Sequence, residues 1–175
     1  VFVDTWLPAR MRQWRLTQSV WMFLKVTMIH KWLVFRECWK LGIPARGLAH
    51  DWDKFLPGCW IDYALHGFNG DSQANVVSRQ SFDFVRFMHK HRNDHHWQWW
   101  VGHSDDGKCL VFEMSDGARK EMVADWRAAA QQKSNGLLSW YGRMRNSIQL
   151  HPVTRAKVES ELRYSVKCES QRGYQ

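Results

Sequence analysis

From Thr17 or Ser19, either of which can cap a helix, to about Leu41, core-type positions recur at Val20, Phe23, Leu24, Thr27, Met28, Trp32 and Phe35. That spacing fits the 3.6-residue turn of an α-helix, and Gly42 is a stop signal. A helix of this length must bury a face against other elements, so the rest of the chain is expected to supply helices for it to pack on. The stretch from Val20 to Phe35 is broken by Lys25, His30 and Lys31, which makes it too polar and too short to span a bilayer. No membrane partner and no targeting peptide are expected.

Further along, Pro44 and Gly47 read as a connection. His50-Asp51 then opens, or sits near the start of, a second helical element that Pro57-Gly58 interrupts. A third segment, Cys59 to Phe68, ends in the loop Gly67 to Asp71. Helix resumes from about Ser72 and is best defined from Gln80 to Asn93, with Phe82, Val85, Phe87 and Met88 facing the core. The period then changes. Trp97 to Gly102 and Lys108 to Met114, separated by Ser104-Asp105-Asp106-Gly107, read as a short β-hairpin turned by its Asp-Gly pair. Ser115 or Asp116 can cap a helix through Ala130, and Asn135-Gly136 breaks it. Two more helices follow, Leu137 to Leu150 and Pro152 to Val166, the second with proline in its first turn. The expected fold is mainly α with one small β-hairpin, a single domain over residues 1–175.

A chain of 175 residues can bury a core without covalent staples. Its four cysteines (Cys38, Cys59, Cys109, Cys168) form no CxxC pair, which suits reduced thiols in a cytoplasmic protein. The net charge of +8 favours polyanionic partners such as nucleotides, other phosphorylated molecules or nucleic acid, but the basic residues are dispersed and form no dense tail. Twelve tryptophans are read as packing, with Trp14, Trp21 and Trp32 alternating with other apolar residues.

Chemistry concentrates in a few polar residues. Adjacent His50 and Asp51 can offer an imidazole nitrogen and a carboxylate oxygen to one divalent cation, given helical backbone there and further ligands from elsewhere. His30 and Asp125 are candidates, and His89, His91, His95 and His96 crowd together. On a helix, His89, Asn93 and His96 share one face. That favours His89 and His96 as ligands, admits His95 if the helix unwinds before the hairpin, and leaves His91 outside. Glu121 lies one turn before Asp125 and could move protons or orient a bound water as a catalytic group. Nitrogen and oxygen donors in this mixture suit Mn, Fe, Co, Ni or Zn.

The order His30, His50-Asp51, Asp125 on a helical scaffold resembles the HD superfamily of metal-dependent phosphohydrolases. The runs His50 to Phe55, Tyr63 to Gly70, Arg92 to Trp100, Glu121 to Trp126 and Leu150 to Arg155 are also similar to a phage and bacterial family of domains of unknown function, over about residues 28–162. The resemblance implies an HD-domain-like helical bundle flanked by an N-terminal helix extension and a C-terminal tail. It implies one or two divalent transition metals, the first held by His30, His50, Asp51 and Asp125, the second by the extra histidines His89, His95 and His96. Lys54 resembles the lysine of HDxxK variants, where plain monophosphatases carry glutamate, and would bind a phosphate as a point charge alongside Arg92 and Arg127. With Asp51, Lys54 and Glu121 as catalytic residues, the implied activity is hydrolysis of a nucleotide or related phosphoester. A di-iron oxygenase and a non-catalytic basic phage accessory protein that binds nucleic acid or a host factor are the alternatives.

Overall fold

A computed structural model describes residues 9–56, 63–64, 76–134 and 136–172. Among them are helices α1 (Ala9–Lys40), α2 (Pro44–Ala49), α3 (Val76–Arg92), α4 (Asp116–Lys133), α5 (Leu137–Met144) and α6 (Pro152–Arg172). Two 3-10 turns, Trp52–Phe55 and Trp97–Trp100, and an antiparallel hairpin, β1 (Val101–His103) with β2 (Cys109–Val111), complete the described elements. The chain is mainly α with one small hairpin, as expected. The segment expected over Cys59 to Phe68, its loop and the start of helix at Ser72 lie largely outside the described residues.

α1 starts eight residues or more before the expected cap, because Ala9 to Leu16 contains no glycine, proline or β-branched residue to stop it. It ends where expected. Gly42 takes φ +76, and the Leu41 and Ile43 N–H groups return to the Glu37 and Cys38 carbonyls at 3.2 and 3.0 Å. Pro44 and Gly47, expected as a connection, instead belong to α2, with proline pre-setting its first turn. Glycine is required at 47 for contact: a Cβ there would lie 2.7 Å from Cys38 Cβ and 2.8 Å from Phe35 Cα. α2 therefore lies directly on α1, and this seats the chain immediately after it.

α4 is the central element. Ser115 caps it, accepting from the Ala118 N–H at 3.3 Å. On one side Ala124 and Ala128 are fully buried with Val34 and Cys38 of α1, and such small residues let two helices approach closely. Its other side, with Ala118, Met122 and Val123, packs into a second core with Tyr141 of α5 and Val158 and Leu162 of α6. α5 stops at Met144 instead of reaching Leu150. There Ser147 and Ile148 turn back to the Met144 carbonyl, and Arg155 donates to the Arg145 and Ile148 carbonyls at 3.2 and 2.6 Å.

Trp97–Trp100 is a 3-10 turn and not strand, held by the Trp100 indole N–H donating to the Asp94 carbonyl at 2.7 Å, so pairing begins only at Val101 opposite Val111. The Ser104–Lys108 connection is closed by the Gly107 N–H on the Ser104 carbonyl at 2.8 Å. Trp21 and Trp32 are not packing residues: they are 70% and 61% exposed, and the Trp14 side chain lies outside the described ones. Phe87 and Met88 are also exposed, because α3 turns His89 inward. Cys38 and Cys109 are free thiols, one buried and one exposed. Among the described residues no helix is long and apolar enough to cross a membrane.

Candidate metal centre

Five pieces of chain converge on one buried cluster: His30 from α1, His50 and Asp51 from the residues after α2, His89 from α3, His95 and His96 from the turn beyond α3, and Glu121 and Asp125 from α4. The His-Asp pair is not helical. His50 is extended (φ −50, ψ 131), and Asp51 takes the left-handed conformation (φ 52, ψ 25), which aspartate tolerates better than most residues. The Lys31 ammonium holds the His50 carbonyl at 2.5 Å. Asp51 then leads into the 3-10 turn, where residues three apart eclipse. Lys54 Nζ accordingly stands 2.6 Å from Asp51 Oδ2. α3 ends at Arg92, and the Asn93 side chain caps the His89 carbonyl at 2.9 Å. The chain therefore leaves the helix before His95, so both His95 and His96 can face inward.

The cluster has two halves that share Asp51. On its Oδ2 side, His50 Nε2 lies at 3.4 Å from Asp51 and 3.9 Å from Asp125 Oδ1, which is 2.8 Å from His30 Nε2. On the Oδ1 side, His95 Nε2 is at 3.2 Å and His89 Nε2 at 3.4 Å, and His96 Nε2 lies 2.9 Å from His89 Nε2. Ligand atoms about 2.0–2.2 Å from one cation lie roughly 3 Å from each other, close to most of these separations. His50 Nε2, Asp51 Oδ1 and His95 Nε2 are buried with no hydrogen-bond partner. Orphaned buried polar atoms are costly, and a cation on either side of Asp51 would satisfy those that face it. The residues present fit a metal, and this buried cluster could hold one.

Carboxylates stand behind the imidazoles. Glu121 Oε1 is 2.9 Å from His50 Nδ1 and 3.2 Å from His95 Nδ1, one histidine from each half. Its other oxygen accepts from Arg46 Nε at 2.7 Å, and Arg46 also pairs with Asp94. Asp53 takes His89 Nδ1 at 3.0 Å. A carboxylate on Nδ1 fixes the tautomer that leaves Nε2 for a metal. Burial by itself would raise the carboxyls, but their cationic neighbours outweigh it: His50, Lys54 and His95 hold Asp51 well below the usual range, and His50, His95 and Arg46 hold Glu121 down. His30 and His50 lower Asp125 against the same opposition. Burial and the neighbouring His95 push His96 down to about 3, which keeps its ring neutral and able to donate a lone pair.

Of the residues expected in a site, His30, His50, Asp51, Lys54, His89, His95, His96, Glu121 and Asp125 are brought together. Arg92 is half-exposed at the edge, 4.0 Å from Asp53. Arg127 is not part of the cluster; it reaches the Glu161 carbonyl of α6 at 3.3 Å. His91 points outward, donating to the Phe87 carbonyl at 2.9 Å. Arg46, Asp53 and Asp94 escaped sequence reasoning. For Asp53 the available signal was its position inside the His50 to Phe55 run.

No curated protein and no solved structure matches the chain. The model of a family of unknown function (DUF5662) matches residues 19–164, a span that contains every residue of the cluster. No named homologue links the chain to the HD superfamily, so that likeness rests on the order of His30, His50-Asp51 and Asp125. The match covers most of the sequence, and the chain belongs to the DUF5662 family.

Proposed function

We propose that the chain is a two-metal phosphohydrolase acting on a nucleotide or related phosphoester. The observation that carries this reading is the Asp51 carboxylate, set between two imidazole groups with orphaned nitrogens on both sides. His30, His50 and Asp51, with Asp125 beside His30 and His50, would hold one ion, and Asp51, His89, His95 and His96 the other. Bound cations of this kind lower the pKa of water toward neutrality and polarise phosphoryl oxygens.

The chain's own residues supply the rest. Lys54 is kept protonated by Asp51, which outweighs the burial opposing it, and is partly exposed, so it can meet a phosphate oxygen as a point charge. Arg92 at the edge can add a second positive contact. Glu121 was expected to move protons or orient a bound water, but both its oxygens are engaged with His50, His95 and Arg46. It acts instead as a positioning residue for His50 and His95.

The test is phosphate release from a panel of nucleotides and bis-phosphoesters with added manganese. Turnover that disappears in Asp51→Asn supports the reading. A protein that carries two irons and consumes oxygen, without releasing phosphate, would replace it with the oxygenase alternative, which Lys54 and the three-histidine half also suit. Salt-dependent nucleic-acid binding that survives Asp51→Ala, without hydrolysis, would favour the accessory-protein alternative.

A further inference from the structure

α1 is apolar on two opposite sides. At about 100° per residue, Trp21, Met28, Trp32 and Trp39 fall within about 20° of one line along the helix, directly opposite His30. These four are 70%, 55%, 61% and 65% exposed, and Met22, Leu24 and Ile29 beside them are exposed too. Phe35 bridges the aromatic part, 6.0 Å from Trp32 and 5.9 Å from Trp39 between ring centres. Among the described residues, no side chain covers this stripe. At about 200 Å² per large aromatic and somewhat less per aliphatic side chain, it leaves roughly 800 Å² of apolar surface in water. Monomers rarely leave so much, and it equals about one partner's share of a standard interface.

The stripe is symmetric about residue 30. Laid antiparallel on itself and crossed there, it sets Trp21 opposite Trp39 and Met28 opposite Trp32. An interface between identical chains needs such self-complementarity, whereas a lipid surface does not. The flanking charges fit as well. Lys40 is paired with Glu37 at 2.8 Å, and Arg36 is turned toward Glu37 and Gln131. Lys25 would fall opposite the Phe35 ring of the second copy, a contact that suits an ammonium. We propose that this face of α1 binds the same face of a second copy of the chain, forming an antiparallel twofold dimer with the metal clusters on its outer sides.

Sedimentation velocity of the full chain at micromolar concentrations tests this. The expected species is a dimer. Met28→Lys and Trp32→Glu, near the twofold, should each weaken it at least tenfold, while Leu110→Lys, an exposed position on β2, should leave it intact. Neither α1 substitution touches the buried Phe23, Val34 and Cys38 side, so unchanged far-ultraviolet circular dichroism and metal uptake are expected. A monomer throughout that range would overturn the proposal, as would a dimer indifferent to both substitutions. So would a monomer that sediments with phosphatidylserine vesicles and loses this in Trp32→Glu, which would assign the stripe to a membrane surface.

Discussion

Asp51 joins the two halves of the cluster, and its backbone adds a second constraint. Asparagine tolerates the left-handed conformation as aspartate does, so Asp51→Asn should fold but lose the charge both halves share. Titration calorimetry with manganese should then detect no binding at either position. Glu121→Gln should weaken both sites about 10–100-fold, because Glu121 supports one histidine of each half. Asp53→Asn should weaken only the His89 half, and equal loss at both sites would refute this division. The metal-free protein also has a defined acid response. Asp51, Asp53, Glu121 and Asp125 are all held below their ordinary values, so their contribution is present above the unfolded range of about pH 4 and lost as pH falls through the depressed folded values. Two histidines move the response up into the neutral range: His95, held above its ordinary value, loses its contribution as pH rises above about 6.5, and His96, pushed down to about 3, opposes folding once pH falls below about 6.5. Urea midpoints of the metal-free chain should therefore peak between about pH 6 and 7 and fall further below about pH 4, where the carboxylates protonate. The residues of the cluster were legible because His-Asp adjacency and a histidine cluster are rare patterns. The role of Glu121 was not, since one-turn spacing from Asp125 shows that they share a face but not which atoms each meets.

At the scale of elements, the seat of the cluster is the contact of α2 with α1. Gly47→Ala forces a methyl against Phe35 Cα and Cys38 Cβ, which should cost about 1–3 kcal/mol. Because α2 carries Arg46 and leads into His50, metal affinity should fall with the melting temperature; a normal affinity in a destabilised variant would uncouple them. Ser115→Ala should cost about 1 kcal/mol through the lost cap, with no change in metal binding. Stops and caps such as Gly42 and Ser115 could be read from the chain because each acts through local backbone geometry. α2 could not, being six residues long and so too short to show a period. Trp97–Trp100 departs from the strand pattern for a different reason: a run of tryptophans has strand propensity, and the bond from Trp100 to the Asp94 carbonyl that curls it is a tertiary choice. The period of α1 was real, but it fits both of its apolar sides, and periodicity does not tell which one is bare.

For the whole molecule, the cluster ties together elements distant in sequence, His30 and Asp125 lying 95 residues apart in adjacent helices. A cation held there would bind only the folded chain and so add folding free energy, about 2.7 kcal/mol at a hundredfold excess over its dissociation constant. For a chain of this size that is a rise of roughly 5–10 °C in melting temperature, reversed by a chelator. That His30, His50-Asp51 and Asp125 belong together was legible in their order along the chain, whereas the position of Asp51 between His50 and His95 required their places in space. Element-resolved analysis of the purified, unchelated protein tests the central claim most directly. About two transition-metal ions per chain are expected, falling to none in Asp51→Asn. A wild-type chain free of transition metal, with a melting temperature unmoved by manganese or by His50→Ala, would contradict it.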